Sequence, residues 1–160
     1  MLTNEQFTRC VTLYLDTVYR LAFSHLKSGA DADDVTQNVF LKLMQEHKDF
    51  ESDEHIKNWL IRVTINECKS LFRSKWWHQE SFEDYAATLS FDNSAQSDLF
   101  YAVMALPKKY RVPIYLHYYE EYSTQEIAQI LKTSKNTVCT HLRRGRELLK
   151  KSLQEADTNV

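Results

Sequence analysis

The sequence predicts an all-α protein made of two small helical domains joined by a flexible acidic linker, with a helix-turn-helix in the second domain. The 160 residues include only two glycines and two prolines, too few for the turns that sheets and hairpins need. Hydrophobic residues make up 43% of the chain, which is typical of folded domains. Apolar residues at spacings of three and four then predict where the individual helices lie.

The first two helices are predicted from their end signals. Thr3 and Gln6 fit a capping box, in which each side chain bonds the other residue's backbone N–H. The first helix is expected to end before Gly29, which suits the left-handed residue after a helix. Asp31 to Asp34 then mark the start of the second helix, because acidic side chains favour the positive N-terminus.

The third helix and the linker follow an acidic loop. Ser52 or Asp53 is expected to cap the third helix, which is predicted to run to about Trp76. Residues 77–95 lose the helical periodicity and are polar or acidic. We therefore interpret them as a linker, with one short helical turn near Phe82 to Ala87.

The second domain begins where periodicity resumes at Asn93, in a helix that is predicted to end at Leu106. Pro107 suits the first position of the next helix, which is expected to reach about Glu120. The predicted boundaries are residues 1–76 for the first domain, 77–95 for the linker, 96–153 for the second domain and 154–160 for a tail.

A helix-turn-helix is the most specific local pattern in the sequence. Ser123 and Glu126 form a second capping box, and Ser134 is a good cap for the helix that follows. The small Ala128 allows two helices to cross closely at a tight turn. Lys132 occupies the turn position where glycine is common, and a left-handed lysine there costs roughly 1 kcal/mol. Gly145, inside the last helix, costs about as much relative to alanine.

A helical wheel divides this last helix into two faces. Val138, Leu142, Gly145 and Leu149 form the expected buried stripe. The opposite face carries hydrogen-bonding and cationic side chains, the composition needed to contact base edges and phosphates in a major groove. An ordinary amphipathic helix at the end of a bundle is the alternative. The candidate DNA-binding residues are Lys135, Asn136, Thr140, His141, Arg143 and Arg144.

The third helix shows a similar division. Its expected core side holds Ile56, Trp59, Leu60, Val63 and Leu71, with Glu67 misplaced among them. A polar and cationic stripe next to an acidic loop can hold a phosphate backbone while the loop accepts an extruded base, although solvated basic faces are common. The stripe consists of Asn58, Arg62, Asn66, Lys69 and Arg73.

The second helix offers a third candidate surface, opposite its predicted core stripe of Val35, Val39, Phe40 and Leu43. A leucine among polar residues on that side indicates a contact with another protein, although single exposed leucines are unremarkable. The surface consists of Asp34, Gln37, Asn38, Leu41 and Gln45.

The charge is distributed unevenly along the chain. The net charge is −2 overall, but residues 77–98 carry five acids and no base, and residues 99–153 carry ten bases against four acids. A basic C-terminal domain is the expected footprint of a nucleic-acid contact, and a lysine-rich solvated face is the alternative.

Three segments resemble, in order, parts of the extracytoplasmic-function (ECF) sigma factors of bacterial RNA polymerase. Residues 31–44, DADDVTQNVFLKLM, are similar to the helix that binds the polymerase clamp. Residues 50–73, which contain WLIRVTIN, are similar to the minus-ten recognition segment. Residues 106–111, LPKKYR, and the helix-turn-helix are similar to the minus-thirty-five domain. The resemblance extends over residues 5–153.

The resemblance implies a role for each surface in promoter recognition, DNA melting and transcription initiation. Asp34, Gln37, Leu41 and Gln45 would dock on the clamp of the largest polymerase subunit. Asn58, Arg62, Asn66, Lys69 and Arg73 would hold the non-template strand at the minus-ten element, and Glu51, Ser52, Asp53, Glu54 and His55 would capture a flipped base. The six candidate residues of the last helix would bind the minus-thirty-five element.

The same resemblance implies the partners: core polymerase, including the flap of its second-largest subunit, promoter DNA and an anti-sigma factor. No cofactor or metal is expected, because Cys139 and His141 are the only close Cys/His pair and no phosphate-binding glycine loop occurs. An enzyme is therefore disfavoured. A duplex-binding regulator that is not a polymerase subunit, and a helical module that binds only proteins, stay as alternatives.

A cytoplasmic location is expected from the termini and the cysteines. The first residues carry neither a basic segment nor an apolar run, so no signal peptide is predicted. Cys10, Cys68 and Cys139 are odd in number and far apart, which suits a reducing compartment.

Overall fold

A computed structural model describes residues 1–73 and 94–158, which fall into two compact units, one on each side of residues 74–93. All regular structure in these residues is helical, which confirms the all-α fold class. Among residues 1–73 and 94–158, no helix combines the length and the hydrophobicity that a membrane span requires. The helices are α1 (Asn4–Leu26), α2 (Gly29–Gln45), α3 (Asp53–Phe72), α4 (Ser94–Met104), α5 (Lys108–Tyr118), α6 (Thr124–Leu131) and α7 (Lys135–Thr158).

In the first unit, α1, α2 and α3 pack against one another in pairs. The apolar sides of the three helices meet in a core with almost no solvent exposure, as the hydrophobic effect requires of such side chains. Its largest members are Leu21, Phe23, Leu26, Leu43, Leu60, Ile61 and Ile65.

The ends of α1 and α2 correct one expectation. The Thr3–Gln6 capping box is present as predicted. Gly29, however, is not the left-handed residue after α1; that residue is Lys27, with φ 51°. Ser28 accepts a hydrogen bond from the Asp31 N–H and caps α2, so the helix already begins at Gly29. The two-residue connection leaves the glycine inside the next helix.

The buried side of α3 is rotated relative to the predicted one. Ile61, Ile65 and Cys68 are buried, whereas Trp59 and Val63 are only half-buried, as is Leu71. Apolar residues occupy both arcs of this helix, so periodicity alone does not choose between them. The contacts with α1 and α2 decide it: the Cys68 thiol, for example, lies 4.0 Å from the Ala22 carbonyl oxygen.

The ends of α3 bear on two further expectations. Ser52 is the cap, since its hydroxyl accepts the His55 N–H at 3.1 Å. The described part of α3 ends at Phe72, and the expected extension to Trp76 lies outside the described residues apart from Arg73. The expected linker and its short helical turn also lie outside the described residues, except for Ser94 and Ala95, which belong to α4.

The second unit consists of α4 to α7. Its core includes Phe100, Met104, Ile114, Tyr115 and Leu116, and the last helix adds Val138 and Leu142. Pro107 lies one position earlier than expected, as the N-cap of α5. Arg111 is buried and donates a hydrogen bond to the Leu106 carbonyl at 3.1 Å, and burial lowers the pKa of its guanidinium to about 10.

The helix-turn-helix is formed by α6 and α7. The Ser123–Glu126 capping box is present, and Ser134 accepts the Thr137 N–H at 3.1 Å. Lys132 is left-handed, with φ 56°, the conformation that glycine adopts at this turn position in other helix-turn-helix motifs. Helix α7 continues to Thr158 and so includes most of the segment that we expected to be a tail.

Candidate nucleic-acid and polymerase interfaces

The polar stripe of α3 lies on the side of the helix away from the core. Arg62, Asn66 and Arg73 are exposed, and Asn58 and Lys69 are half-exposed. At 1.5 Å per residue the stripe is roughly 22 Å long. The stripe faces solvent as the wheel predicted, whereas part of the predicted core beside it is only half-buried.

Glu67, which did not fit the helical wheel, is explained by a contact with α2. Its carboxylate forms an ion pair with the Lys42 ammonium. A half-buried acid with a cationic partner on the neighbouring helix can lie between the core and the stripe.

Residues 51–55, which we call the entry loop, consist of the last two residues before α3 and the first three residues of the helix, so Asp53, Glu54 and His55 are helical and not in a loop as expected. The Glu51 N–H donates to His55 Nδ1 at 3.2 Å, in addition to the Ser52 cap. Both carboxylate oxygens of Asp53 accept hydrogen bonds from the Arg9 guanidinium. These bonds hold the loop in one shape at the start of the polar stripe.

An aromatic cluster that sequence analysis missed lies beside the entry loop. The Phe50 ring meets the His55 ring edge-on at 5.2 Å between centroids and the Trp59 ring at 5.9 Å. All three rings are half-exposed. The wheel assigned Trp59 to the core, although it places this residue only about 20° from Asn66 at the edge of the stripe. The contact with Phe50 has no local pattern in the sequence.

The candidate protein-binding surface of α2 is exposed as predicted. Asp34, Gln37, Asn38 and Gln45 are exposed, and so is Leu41, at 49%. Met44, one turn further along, is 46% exposed. Two large apolar side chains therefore lie together among polar residues, a pattern that favours a protein contact.

The candidate reading face of α7 is also exposed to solvent. Lys135, Asn136, Arg143 and Arg144 are exposed, and Thr140 and His141 are half-exposed. The opposite stripe is buried at Val138, Leu142 and Gly145, and Leu149 is half-buried. The division predicted by the wheel therefore holds.

His141 is held by α5. Its ring packs edge-on against the Tyr110 ring at 5.6 Å, and the Lys109 ammonium lies 5.0 Å from the centroid of the same tyrosine. Burial lowers the pKa of His141, and the Lys109 and Arg144 cations lower it further. Its imidazole is therefore neutral at physiological pH, with one nitrogen as donor and one as acceptor.

No group of three or more metal-ligating side chains occurs among residues 1–73 and 94–158. The surfaces described above supply cations, amides, hydroxyls and aromatic rings, which are groups that bind nucleic acid.

Comparisons with known proteins identify the family to which this chain is related. Residues 10–78 match the sigma-70 region 2 family, and residues 98–149 match the sigma-70 region 4 family. Sigma factor SigV of Bacillus subtilis is 30% identical over 97% of this chain and 95% of its own length. The ECF sigma factor SigW of the same organism is 28% identical over 95% of this chain and 91% of its own.

The fold agrees with a solved structure. Sigma factor RpoE of Bartonella quintana, crystallised with the anti-sigma factor NepR, superposes with a TM-score of 0.66 at 22% identity. The alignment covers 92% of this chain and 96% of that one. Both regions and nearly the full length are thus matched, and the chain belongs to the ECF family of RNA polymerase sigma factors.

Proposed function

We propose that this sigma factor divides promoter recognition between its two units as the three described surfaces indicate. The first unit would bind the polymerase clamp through α2 and melt the minus-ten element with α3, and the second would bind the minus-thirty-five element with α7. The observation that carries the proposal is that an exposed apolar pair on α2 and a cationic stripe on α3 occur in the same three-helix unit.

For the clamp, the proposed contact consists of Leu41 and Met44 surrounded by Asp34, Gln37 and Gln45. Burial of two apolar side chains supplies affinity, and the polar rim supplies specificity. Leu41→Asp should therefore abolish co-purification with core polymerase, because it would bury an unpaired charge. Leu15, on α1, is 45% exposed and provides the matched control. Leu15→Asp should leave the complex intact, and equal loss in both variants would contradict the assignment.

For the minus-ten element, the stripe of Asn58, Arg62, Asn66, Lys69 and Arg73 would hold the phosphates of the non-template strand. The entry loop, Glu51 to His55, would receive a flipped base beside the aromatic cluster. Unpairing costs a few kcal/mol per base, which stacking and phosphate contacts offset. No ATP is then required, and we propose that this chain performs no bond chemistry of its own.

For the minus-thirty-five element, the proposed contact residues are Lys135, Asn136, Thr140, His141, Arg143 and Arg144. Arg143→Ala should weaken binding of the upstream element in the assembled holoenzyme by about 1–3 kcal/mol. Lys150, an exposed cation on the same helix two turns beyond Arg143 and about 10 Å further from the N-terminal part that would enter the groove, is the control. If Lys150→Ala and Arg143→Ala weaken binding equally, α7 contributes only non-specific positive charge and does not recognise the base sequence.

We also propose two further partners and a cellular location, all of which follow from family membership. The second unit would contact the flap of the second-largest polymerase subunit. An anti-sigma factor, like the one bound to RpoE of Bartonella quintana, would mask the DNA-binding surfaces. Because the polymerase lies in the cytoplasm, the protein would act there. A regulator that binds duplex DNA without being a polymerase subunit is disfavoured because both sigma-70 regions are matched in this chain.

A further inference from the structure

An ion pair connects the first helix to the first turn of α3. One Arg9 guanidinium nitrogen lies 3.0 Å from Asp53 Oδ1, and the second nitrogen bonds Oδ2. The pair is therefore bidentate, the geometry that fixes the relative orientation of the two groups. Both side chains are solvent-accessible, at 61% for Arg9 and 45% for Asp53.

A second contact joins the same two helices at the same place. The Tyr14 hydroxyl, one turn beyond Arg9, donates to the Asp53 carbonyl at 3.2 Å. Asp53 is thus held by α1 through its side chain and through its backbone. It is the first residue of α3 and lies in the middle of the entry loop.

We propose that Arg9 is a positioning residue for base selection: by holding Asp53, it keeps the first turn of α3, and with it the entry loop, fixed against α1. Asp53 would then act on DNA through the position of its neighbours, because both its carboxylate oxygens are occupied by Arg9. This inference rests on the proposed role of the entry loop in capturing a minus-ten base.

The physical argument is one of local geometry and not of global stability. Exposed ion pairs contribute little to the free energy of unfolding. A binding site, however, loses selectivity when its supporting contacts allow shifts of about 1 Å. The bonds from Ser52 and Glu51 to His55 tie the loop to the first turn of α3. Helix ends fray most easily, and Arg9 and Tyr14 anchor this end a second time, to α1.

The test measures minus-ten base preference with reconstituted holoenzyme. Core polymerase with the wild-type or the Arg9→Ala chain is assayed for open-complex formation on promoters that carry each of the four bases at every minus-ten position. We expect Arg9→Ala to reduce discrimination against the disfavoured bases by roughly two- to fivefold, the factor of an ion pair of this exposure. Core binding and the thermal midpoint should remain close to those of the wild type. The charge-reversed pair, Arg9→Asp with Asp53→Arg, should restore part of the preference.

The matched control is Lys42→Ala, which removes an equivalent ion pair between α2 and a later turn of α3. It should leave base preference unchanged. If Arg9→Ala lowers opening equally on all templates, or leaves preference intact, Arg9 is a structural residue only and the inference is wrong. A Glu51→Ala variant separates this outcome from failure of the proposed function. If Glu51→Ala alters the base preference, the entry loop takes part in base capture whatever Arg9 does. If it does not, the proposed role of the loop itself is wrong.

Discussion

At the scale of single residues, Gly145 lies at a close approach between α7 and α5. A Cβ atom at this position would lie 2.9 Å from Cγ1 and 3.2 Å from Cδ1 of Ile114. The glycine that is unfavourable in an isolated helix thus permits α7 to pack closely on α5. The sequence predicted the cost of this residue but not its purpose, because Ile114 is distant along the chain.

Gly145→Ala should therefore lower the free energy of unfolding of the second unit by about 1 kcal/mol. The steric cost of overpacking, about 1–3 kcal/mol, exceeds the gain in helix propensity, about 1 kcal/mol. Chemical denaturation measures the difference. In an Ile114→Ala background, which removes the obstructing atoms, the same substitution should no longer destabilise. Equal costs in both backgrounds would show that the contact does not matter.

His141 yields a prediction about pH. Its pKa is below the ordinary value because of burial and of the cations Lys109 and Arg144. The folded state thus binds fewer protons than the unfolded state near pH 6. The contribution of His141 to stability is complete above its unfolded pKa of about 6.5 and declines as the pH falls below it. Lys109→Ala should raise the pKa of His141, as measured by NMR titration of the imidazole. An unchanged or lower pKa would contradict the proximity of the two groups.

Some residue-level features could be predicted and others could not. The caps at Thr3 and Ser123 were predicted because their partners lie three residues away. The Arg9–Asp53 pair joins residues that are 44 positions apart, so no local pattern indicates it.

At the scale of elements, the turn between α6 and α7 carries a strained residue. Lys132 is left-handed and donates its N–H to carbonyls of the last turn of α6. The position of the lysine in the helix-turn-helix indicated what a left-handed conformation would cost, but not that the turn adopts it. Glycine would adopt it without a Cβ conflict.

Lys132→Gly should therefore raise the free energy of unfolding of the second unit by roughly 0.5–1 kcal/mol, as thermal or chemical denaturation would measure. Lys150→Gly is the control, because Lys150 is an exposed residue in the interior of α7. There the same substitution should destabilise by about 1 kcal/mol. A loss of stability in both variants would mean that the turn is not strained.

The orientation of α3 shows the limit of helical wheels. The exposure of the polar stripe was predicted correctly because charged and amide side chains are costly to bury unless they find partners. The core side was predicted less well, because two arcs of the helix are apolar enough to be buried. The predicted arc contains Trp59 and Val63, and the arc that is buried contains Ile61 and Ile65. Packing against α1 and α2 selects between the two arcs. That selection leaves Trp59 beside Phe50, at the start of the stripe.

At the scale of the whole molecule, the two units differ in charge as well as in fold. Residues 99–153 carry an excess of six positive charges, whereas residues 1–76 carry eleven acids and ten bases. Both the two-domain all-α fold and the family were predictable, because the motifs occur in the family's order along the chain. The linker prediction falls largely outside the described residues.

The charge distribution predicts that upstream-element binding depends steeply on salt. Each phosphate contact releases condensed counterions, so the logarithm of the binding constant should fall linearly with the logarithm of salt concentration. Removing one contact, as in Arg144→Ala, should reduce the slope by about 0.9. Binding titrations with holoenzyme over a salt series measure it. A slope identical to that of the wild type would exclude Arg144 from the phosphate contacts.

The most direct test of the central claim is a footprint of holoenzyme, reconstituted from core polymerase and this chain, on a promoter selected from genomic DNA. We predict protection of an upstream element and melting of a downstream one in a single complex. Arg143→Ala should lose the upstream protection, and Arg62→Ala should lose the melting. Two results would contradict the account: the chain protects the same duplex equally well without polymerase, or core polymerase does not bind the chain. In either case the two units do not act together as we describe.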